Sequence, residues 1–178
     1  MSRPTPESQI PVRLEPYSPH WAERFKGERG LLLEALGDKA RDIQHFGSTS
    51  VPGLSAKPTV DIMVGIVSFP WQHDSLLERL DYRFYKAPNP KWRVYLKPYG
   101  RDVRGYHLHI VPVYSDHWRT HLLFRDYLRT HPEAATSYAV EKARLAKEYS
   151  GRRGSYQVGK KKIVEALMAR AEAWQGKP

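Results

Sequence analysis

Residues 60–67 read VDIMVGIV, an almost wholly apolar strand interrupted by one aspartate. Such a run needs a sheet and enough surrounding chain to cover it. Asp61 is the exception to be explained, because a carboxylate inside an apolar strand is costly to bury unless it is paired, hydrogen-bonded or bound to metal. The plainer alternative is an aspartate capping a neighbouring loop. The 178 residues, 40% apolar and 27% charged, provide the cover, since a chain of this size buries roughly 70% of its unfolded surface. No apolar run approaches the roughly 18–20 residues that span a bilayer, so no membrane association is expected. The opening MSRPTPESQI lacks the apolar core of a secretory signal, and there is no cysteine. Disulfide frameworks, thiol catalysis and cysteine-bound zinc are therefore excluded, and a cytoplasmic location is expected.

Punctuation and periodicity order the rest of the chain. Residues 1–10 read as a mobile, proline-rich tail, followed by a short strand at Val12–Leu14. Ser18-Pro19 has the form of an N-cap with proline at the first helical position. Trp21, Phe25, Leu32, Leu33 and Leu36 then recur near helical spacing until Gly37. Strands are predicted at Ile43–Phe46, Val60–Val67, Tyr82–Tyr85, Arg93–Lys97 and Tyr106–Val113, with a helix over about 68–80. Helices are predicted over about 116–130, 133–149 and 157–174. The expected layout is α+β in a single domain: a mixed β-sheet flanked by helices over about 10–115, and a helical C-terminal third over about 116–174 packed on it.

The chain is basic, with a formal net charge of +10, and this points to an anionic partner. The charge is concentrated. Residues 83–104 net +6 and residues 150–162 net +5, leaving the remainder at −1. The unremarkable reading of both stretches is a solvated basic loop.

The loop between the second and third predicted strands, GSTSVPGLSAKP, sharpens the reading of Asp61. Gly47-Ser48 leaves a strand into a turn whose N–H groups, with the Ser48 and Thr49 hydroxyls, can hold a phosphate. Asp61 returns on the next strand. A phosphate cradle beside a carboxylate suits metal-assisted phosphoryl or nucleotidyl transfer. Lys57 is placed to contact the same phosphate, or is an exposed loop lysine. His107 and His109 lie two apart on a strand and so share a face. They can ligate a metal with Asp61, and His109 can serve as a general base. Imidazole favours Mn²⁺ or Zn²⁺ over Mg²⁺. Arg93, Tyr95 and Lys97 also share a face, which suits a nucleotide or an edge strand guarded by cations. The Arg125–Asp126 pair reads as a helix anchor. Lys160–Lys162, at the start of the last predicted helix, oppose its dipole and so are expected to face an anion.

HFGSTSVPGLSAKPTVDIMVGI (45–66), YHLHIVP (106–112) and HWRTHLLFRDYLRTHPEAATSYAVEK (117–142) resemble the GrpB-like family of predicted nucleotidyltransferases, over roughly residues 10–173. The resemblance implies the fold of the DNA polymerase beta-like nucleotidyltransferases, with the GS turn and the aspartate strand framing the site. It also implies a departure: where that superfamily usually carries a second carboxylate two residues after the first, this chain has Met63, which cannot ligate a hard cation. Three functions are therefore expected in order. The first is a nucleotidyltransferase moving a nucleotidyl group from a nucleoside triphosphate to an unknown acceptor, with an anionic molecule or a nucleic acid as candidates, and with a divalent metal (Mg²⁺, Mn²⁺ or Zn²⁺). The second is a non-catalytic nucleotide or nucleic-acid binding module on the same fold. The third is a histidine-dependent nucleotide hydrolase. The chain carries neither GxxxxGK[ST] nor GxSxG.

Overall fold

A computed structural model describes residues 12–175 apart from Arg101. The tail expected over residues 1–10 lies outside the described residues. Strands β1 (Asp42–Phe46), β2 (Val60–Ile66), β3 (Arg83–Asn89), β4 (Trp92–Tyr99) and β5 (Asp102–Pro112) form one sheet in the order β1-β2-β5-β4-β3. β2 and β5 run parallel, and the other neighbouring pairs are antiparallel. Helices α1 (His20–Leu36) and α2 (Asp74–Glu78) interleave with the strands. Helices α3 (Asp116–Thr130), α4 (Pro132–Glu148) and α5 (Arg153–Gln175) follow them. The layout is α+β with a helical C-terminal portion, as expected.

The apolar run takes an interior position. β2 has a neighbour on each edge and is buried at every position except Asp61. Strand alternation then sorts side chains into two layers. Val60, Ile62, Val64 and Ile66 join Tyr95, Tyr106, Leu108 and Ile110 in a core closed by Trp21, Leu32 and Leu36 of α1 and Leu77 of α2. The opposite face carries Asp61 and Met63 beside His107 and His109. There α3 closes over the sheet, with Trp118 packed on Phe46, Met63 and Val111. Ser115 starts α3, its hydroxyl accepting from the Trp118 N–H at 3.3 Å. Val51 and Leu54, from the loop after β1, pack with Tyr127, Leu128, Tyr138 and Leu167, tying that loop to all three C-terminal helices.

Several boundaries move for identifiable reasons. The strand expected at Val12–Leu14 is replaced by a single bridge between Glu15 and Ala56, and Pro16 has no N–H with which to extend it. The helix expected over 68–80 shortens to α2, because Pro70 cannot donate within a helix interior. The strands expected at 82–85 and 93–97 lengthen into a hairpin whose turn is held by the Lys91 N–H donating to Asn89 Oδ1 at 2.8 Å. The last helix begins at Arg153 rather than 157, so Lys160–Lys162 lie beyond its first turn and the expected dipole conflict disappears.

Candidate functional site

The sheet fixes both neighbours of Asp61: Phe46 across the antiparallel pair and His107 across the parallel one. Asp61 Oδ1 lies 3.3 Å from His107 Nδ1, and the two side chains are 27% and 21% exposed, so the pair opens toward solvent. Immediately after β1 the chain turns at Gly47, with φ 70° and ψ −173°. Residues bearing a Cβ essentially never adopt that conformation. A Cβ there would also stand 2.3 Å from Asp61 Oδ2. Glycine is required on both counts, and its backbone lies against the carboxylate.

Ser48–Ser50 continue as a 3₁₀ turn in which the Ser50 and Val51 N–H groups donate to the Gly47 and Ser48 carbonyls. Among the described residues no backbone acceptor takes the Ser48 or Thr49 N–H, so sheet pairing does not consume them. α3 clamps this turn. Arg129 Nε and Nη2 donate to the Ser50 carbonyl at 3.0 and 2.7 Å. Arg125 donates to Gln44 Oε1 at 2.8 Å and to the His45 carbonyl at 2.9 Å, while its other edge grips Asp126 at 2.7 and 3.1 Å. The Arg125–Asp126 pair thus acts as an anchor.

Burial opposes a charge on Asp61. The hydrogen bond and charge of His107, with Lys160, outweigh that opposition and hold its carboxyl below the usual carboxylate range. Asp61 is therefore an ionised acceptor at neutral pH. His107 Nε2 is buried and has no hydrogen-bond partner among the described residues.

His109 shares the face but joins a different group. Its Nδ1 shares a hydrogen with His117 Nε2 at 3.2 Å, and Phe46 and Trp92 flank its ring. The His117 ring lies 4.0 Å from that of His121, whose Nδ1 donates to the His117 carbonyl at 2.8 Å. Burial drives His109 well below 6.5 and lowers His117 to about 3, so both imidazoles are neutral. Among the described residues no group of three or more histidine, cysteine, aspartate or glutamate side chains is arranged to hold a metal ion. Asp61, His107 and His109 therefore do not form the ready-made three-ligand centre expected from the sequence.

Three other expected residues sit elsewhere. The Thr49 hydroxyl is buried and donates to the Thr59 carbonyl at 3.1 Å. With its one proton used, it accepts from His45 Nε2 at 3.1 Å, so it is not available to a phosphate. Arg93, Tyr95 and Lys97 do share a face, but their partners on β5 are Ile110, Leu108 and Tyr106, which puts them on the α1 side of the sheet. Lys97 Nζ is bound to the Glu28 carboxylate at 2.8 and 3.1 Å, and the Tyr95 hydroxyl donates to Asp74 at 2.6 Å. Arg93 and Lys97 therefore belong to the opposite face from Asp61, not to its site.

Sequence reasoning missed Lys142, Tyr138 and His117, whereas Lys57 and Lys160 were among the residues it named. Lys142 of α4 is 2% exposed, and its ammonium donates to the Ser55 carbonyl at 2.6 Å and the Ser48 hydroxyl at 3.1 Å. Burial, then Lys160 and Lys57, lowers its pKa from 10.5 to about 7. The Lys142 ammonium also lies 4.6 Å from the centroid of the Tyr138 ring. Lys57 stands over the Tyr156 ring at 5.3 Å. A signal for Lys142 was present: Ala134, Tyr138, Lys142 and Leu145 recur at helical spacing as the buried stripe of α4. His117 and His121, four apart on α3, gave a similar signal.

No described helix is long and apolar enough to cross a membrane. The family model for GrpB protein matches residues 11–170. The chain is similar to a UPF0157 protein of Pseudomonas aeruginosa, 37% identical over 172 residues, covering 91% of this chain and 68% of that protein. It is also similar to the glutamate-rich protein GrpB of Alkalihalophilus pseudofirmus, 32% identical over 163 residues, covering 88% and 94% respectively. A crystal structure of the conserved protein GrpB from Enterococcus faecalis superimposes with a TM-score of 0.74 at 29% identity, covering 89% of this chain and 98% of that one.

Proposed function

The chain belongs to the GrpB family, and from that premise we propose that it is a nucleotidyltransferase using a nucleoside triphosphate, a divalent metal and an unidentified acceptor. One observation carries the reading: the Gly47 backbone lies against the ionised Asp61 carboxylate, and the two residues that follow it, Ser48 and Thr49, have N–H groups that no backbone acceptor takes among the described residues. Phosphate oxygens need such donors, and a phosphate-bound cation needs such a carboxylate.

The residues present fit a cation held by few protein ligands. Asp61 and His107 would hold it, the remaining positions going to phosphate oxygens and water, as is usual for Mg²⁺ at nucleotide sites. The imidazole tilts the preference toward Mn²⁺ or Zn²⁺. When bound, such an ion neutralises charge on the phosphates and polarises the bond to the transferred phosphorus. Asp61 keeps its charge at neutral pH, the His107 ring is oriented by its contact with Asp61, and the Ser48 and Thr49 N–H groups orient a phosphate. Arg129 and Arg125 keep the turn in register as positioning residues. The test is Asp61→Asn, which keeps size and polarity. It should melt like the parent and lose Mn²⁺-dependent pyrophosphate release from a mixture of nucleoside triphosphates. Equal release from the folded variant would overturn the assignment.

Met63 favours a second reading, a nucleotide or nucleic-acid binding module without turnover. It is fully buried against Phe46, Val111 and Trp118, and offers nothing to a second ion. That reading expects nucleotides to raise the melting temperature with no pyrophosphate released. The histidine-hydrolase reading loses support, since His107 Nε2 is buried and His109 is engaged by His117. The basic surface favours an anionic acceptor, and a cytoplasmic setting accords with a chain without cysteine.

A further inference from the structure

The basic stretch 83–104 keeps an excess of charge even after Lys97 is bound to Glu28 and Arg93 is placed on the α1 side of the sheet. Arg83, Lys86 and Lys91 are exposed, and none of the ion pairs among the described residues involves them. The sheet register ties two of them to the site. His107 is opposite Asp61, Leu96 is opposite His107, and Arg83 is opposite Leu96. Directly opposed residues share a face, so these four form one row across the sheet, and Lys86 lies in the next row, opposite Val94. With strands about 4.8 Å apart, Arg83 stands about 14 Å from Asp61 along its row. α3 covers part of this face, with Trp118 on Met63 and Val111 and the His117 ring 3.9 Å from that of Trp92. At the far end, β3 is exposed at every position from Arg83 to Asn89.

β3 is an edge of the sheet. Lysine and proline on an edge strand guard it against pairing with another chain, and Lys86 and Pro88 fit that role. Guarding does not explain the rings beside them. Phe84 is 52% and Tyr85 39% exposed, and both stand between Arg83 and Lys86. Phe84 rests edge-on against Tyr95 with 5.8 Å between centroids, and the Lys86 ammonium lies 5.2 Å from the Tyr85 ring. Rings offer bases a stacking surface, and cations hold phosphates. Arg83 and Lys86 are three residues apart, about 10 Å at the rise of a strand, which is too far for one phosphate group and suits a chain of them. A second copy paired on this edge would set like charges against each other. A duplex keeps its bases stacked inside, away from the rings. We propose that the β3 edge, with the face running from it toward Asp61, binds single-stranded nucleic acid, placing phosphates on Arg83, Lys86 and Lys91 and bases against Phe84 and Tyr85. The surface does not depend on nucleotidyl transfer. Where that reading also holds, the row of Leu96 and His107 leads the strand toward Asp61.

Fluorescence anisotropy of the full chain tests this with labelled oligouridylate and oligothymidylate of about 15 nucleotides, near the upper size of single-strand sites. A DNA duplex is titrated alongside, and co-sedimentation with phosphatidylserine vesicles is measured separately. The parent should bind the single strands saturably and more tightly than the duplex. With three phosphate contacts, log affinity should fall against log salt with a slope of about −2. The positions are exposed, so the fold should survive their replacement. Arg83→Gln combined with Lys86→Gln should weaken binding about twentyfold at about 0.1 M salt. Phe84→Leu keeps an apolar contact with Tyr95 but removes the ring, and should weaken binding about fivefold. Lys26→Gln, which removes an exposed cation of α1, should bind like the parent. Tighter binding of one oligonucleotide identifies RNA or DNA as the source, and either upholds the surface. Binding without pyrophosphate release keeps the surface and defeats nucleotidyl transfer. The proposal is refuted if the folded double variant binds like the parent, or if Lys26→Gln weakens binding as much as the double variant. It is equally refuted if the duplex binds as tightly as the single strands, or if the parent binds vesicles and not the oligonucleotides.

Discussion

Replacing Lys142 by methionine should make the protein more stable, by an amount that depends on pH. The ammonium has a pKa of about 7 in the fold against 10.5 when unperturbed. At about 1.4 kcal/mol per tenfold, holding it charged in its buried position costs about 5 kcal/mol below pH 7. Methionine removes that cost and fills much the same volume. It also leaves the Ser55 carbonyl without its donor, a loss of about 1–3 kcal/mol. The net gain near pH 6 is therefore about 2–4 kcal/mol. The sign of the pH dependence follows from proton counts. Above about pH 7 the folded parent has released the Lys142 proton while the unfolded chain still holds it, so the parent's stability rises with pH. By about pH 9 it should have recovered about 3 kcal/mol relative to the variant. Urea unfolding followed by tryptophan fluorescence, in buffers free of phosphate, measures this. Buried histidines titrate alike in both proteins and cancel in the difference. Parallel stability curves for parent and Lys142→Met between about pH 6 and 9 would refute the reasoning.

Further outcomes follow from single contacts. Gly47→Ala forces a Cβ into a glycine-only conformation against Asp61 Oδ2; urea unfolding should show a loss of at least about 1–3 kcal/mol, and the Asp61 carboxyl, followed by NMR, should titrate differently. His45, stacked on Phe25, is lowered from 6.5 to about 4 chiefly by burial, with Arg129, Arg125 and Arg24 adding to it. The stability it contributes is complete above pH 6.5 and falls away as pH drops toward 4, by about 3 kcal/mol; acid unfolding of His45→Gln should lack that share of the loss. Gly159→Ala gains about 1 kcal/mol of helix propensity but drives a methyl into Leu145; urea unfolding should show a net loss of stability in place of the gain that propensity alone predicts.

The centre of the site was legible because its residues break local rules. Asp61 is a charge in an apolar strand, and Gly47 precedes a serine where a strand must turn. Their meeting needs only the short connection between β1 and β2. The errors came from registers that a single strand does not encode. Period two correctly aligned Arg93, Tyr95 and Lys97, but which side of the sheet they occupy depends on the pairing of Arg93 with Ile110. One residue of slip would have placed them beside Asp61. Glu28, the partner of Lys97, lies 69 residues away on α1, beyond any local pattern. Lys142 was hidden for the opposite reason. A lysine on a helix usually reads as solvated surface, and only its place in the stripe of Ala134, Tyr138 and Leu145 marks it as interior.

The hydrogen bond from Lys142 to Ser48 spans 94 residues of chain, and this has a consequence in time. A ribosome adds about 5–20 residues per second and releases the N-terminal end first. The Gly47 turn and the Asp61 strand are thus made seconds before the helices that supply Lys142 and Lys160. Contacts so distant in sequence close late. A growing chain can display its sheet and its carboxylate, but the Ser48 turn lacks its contact with Lys142 until α4 has emerged and docked. A protein cut short before α4 would carry the most recognisable part of the site without the buried contacts that hold its loop in place.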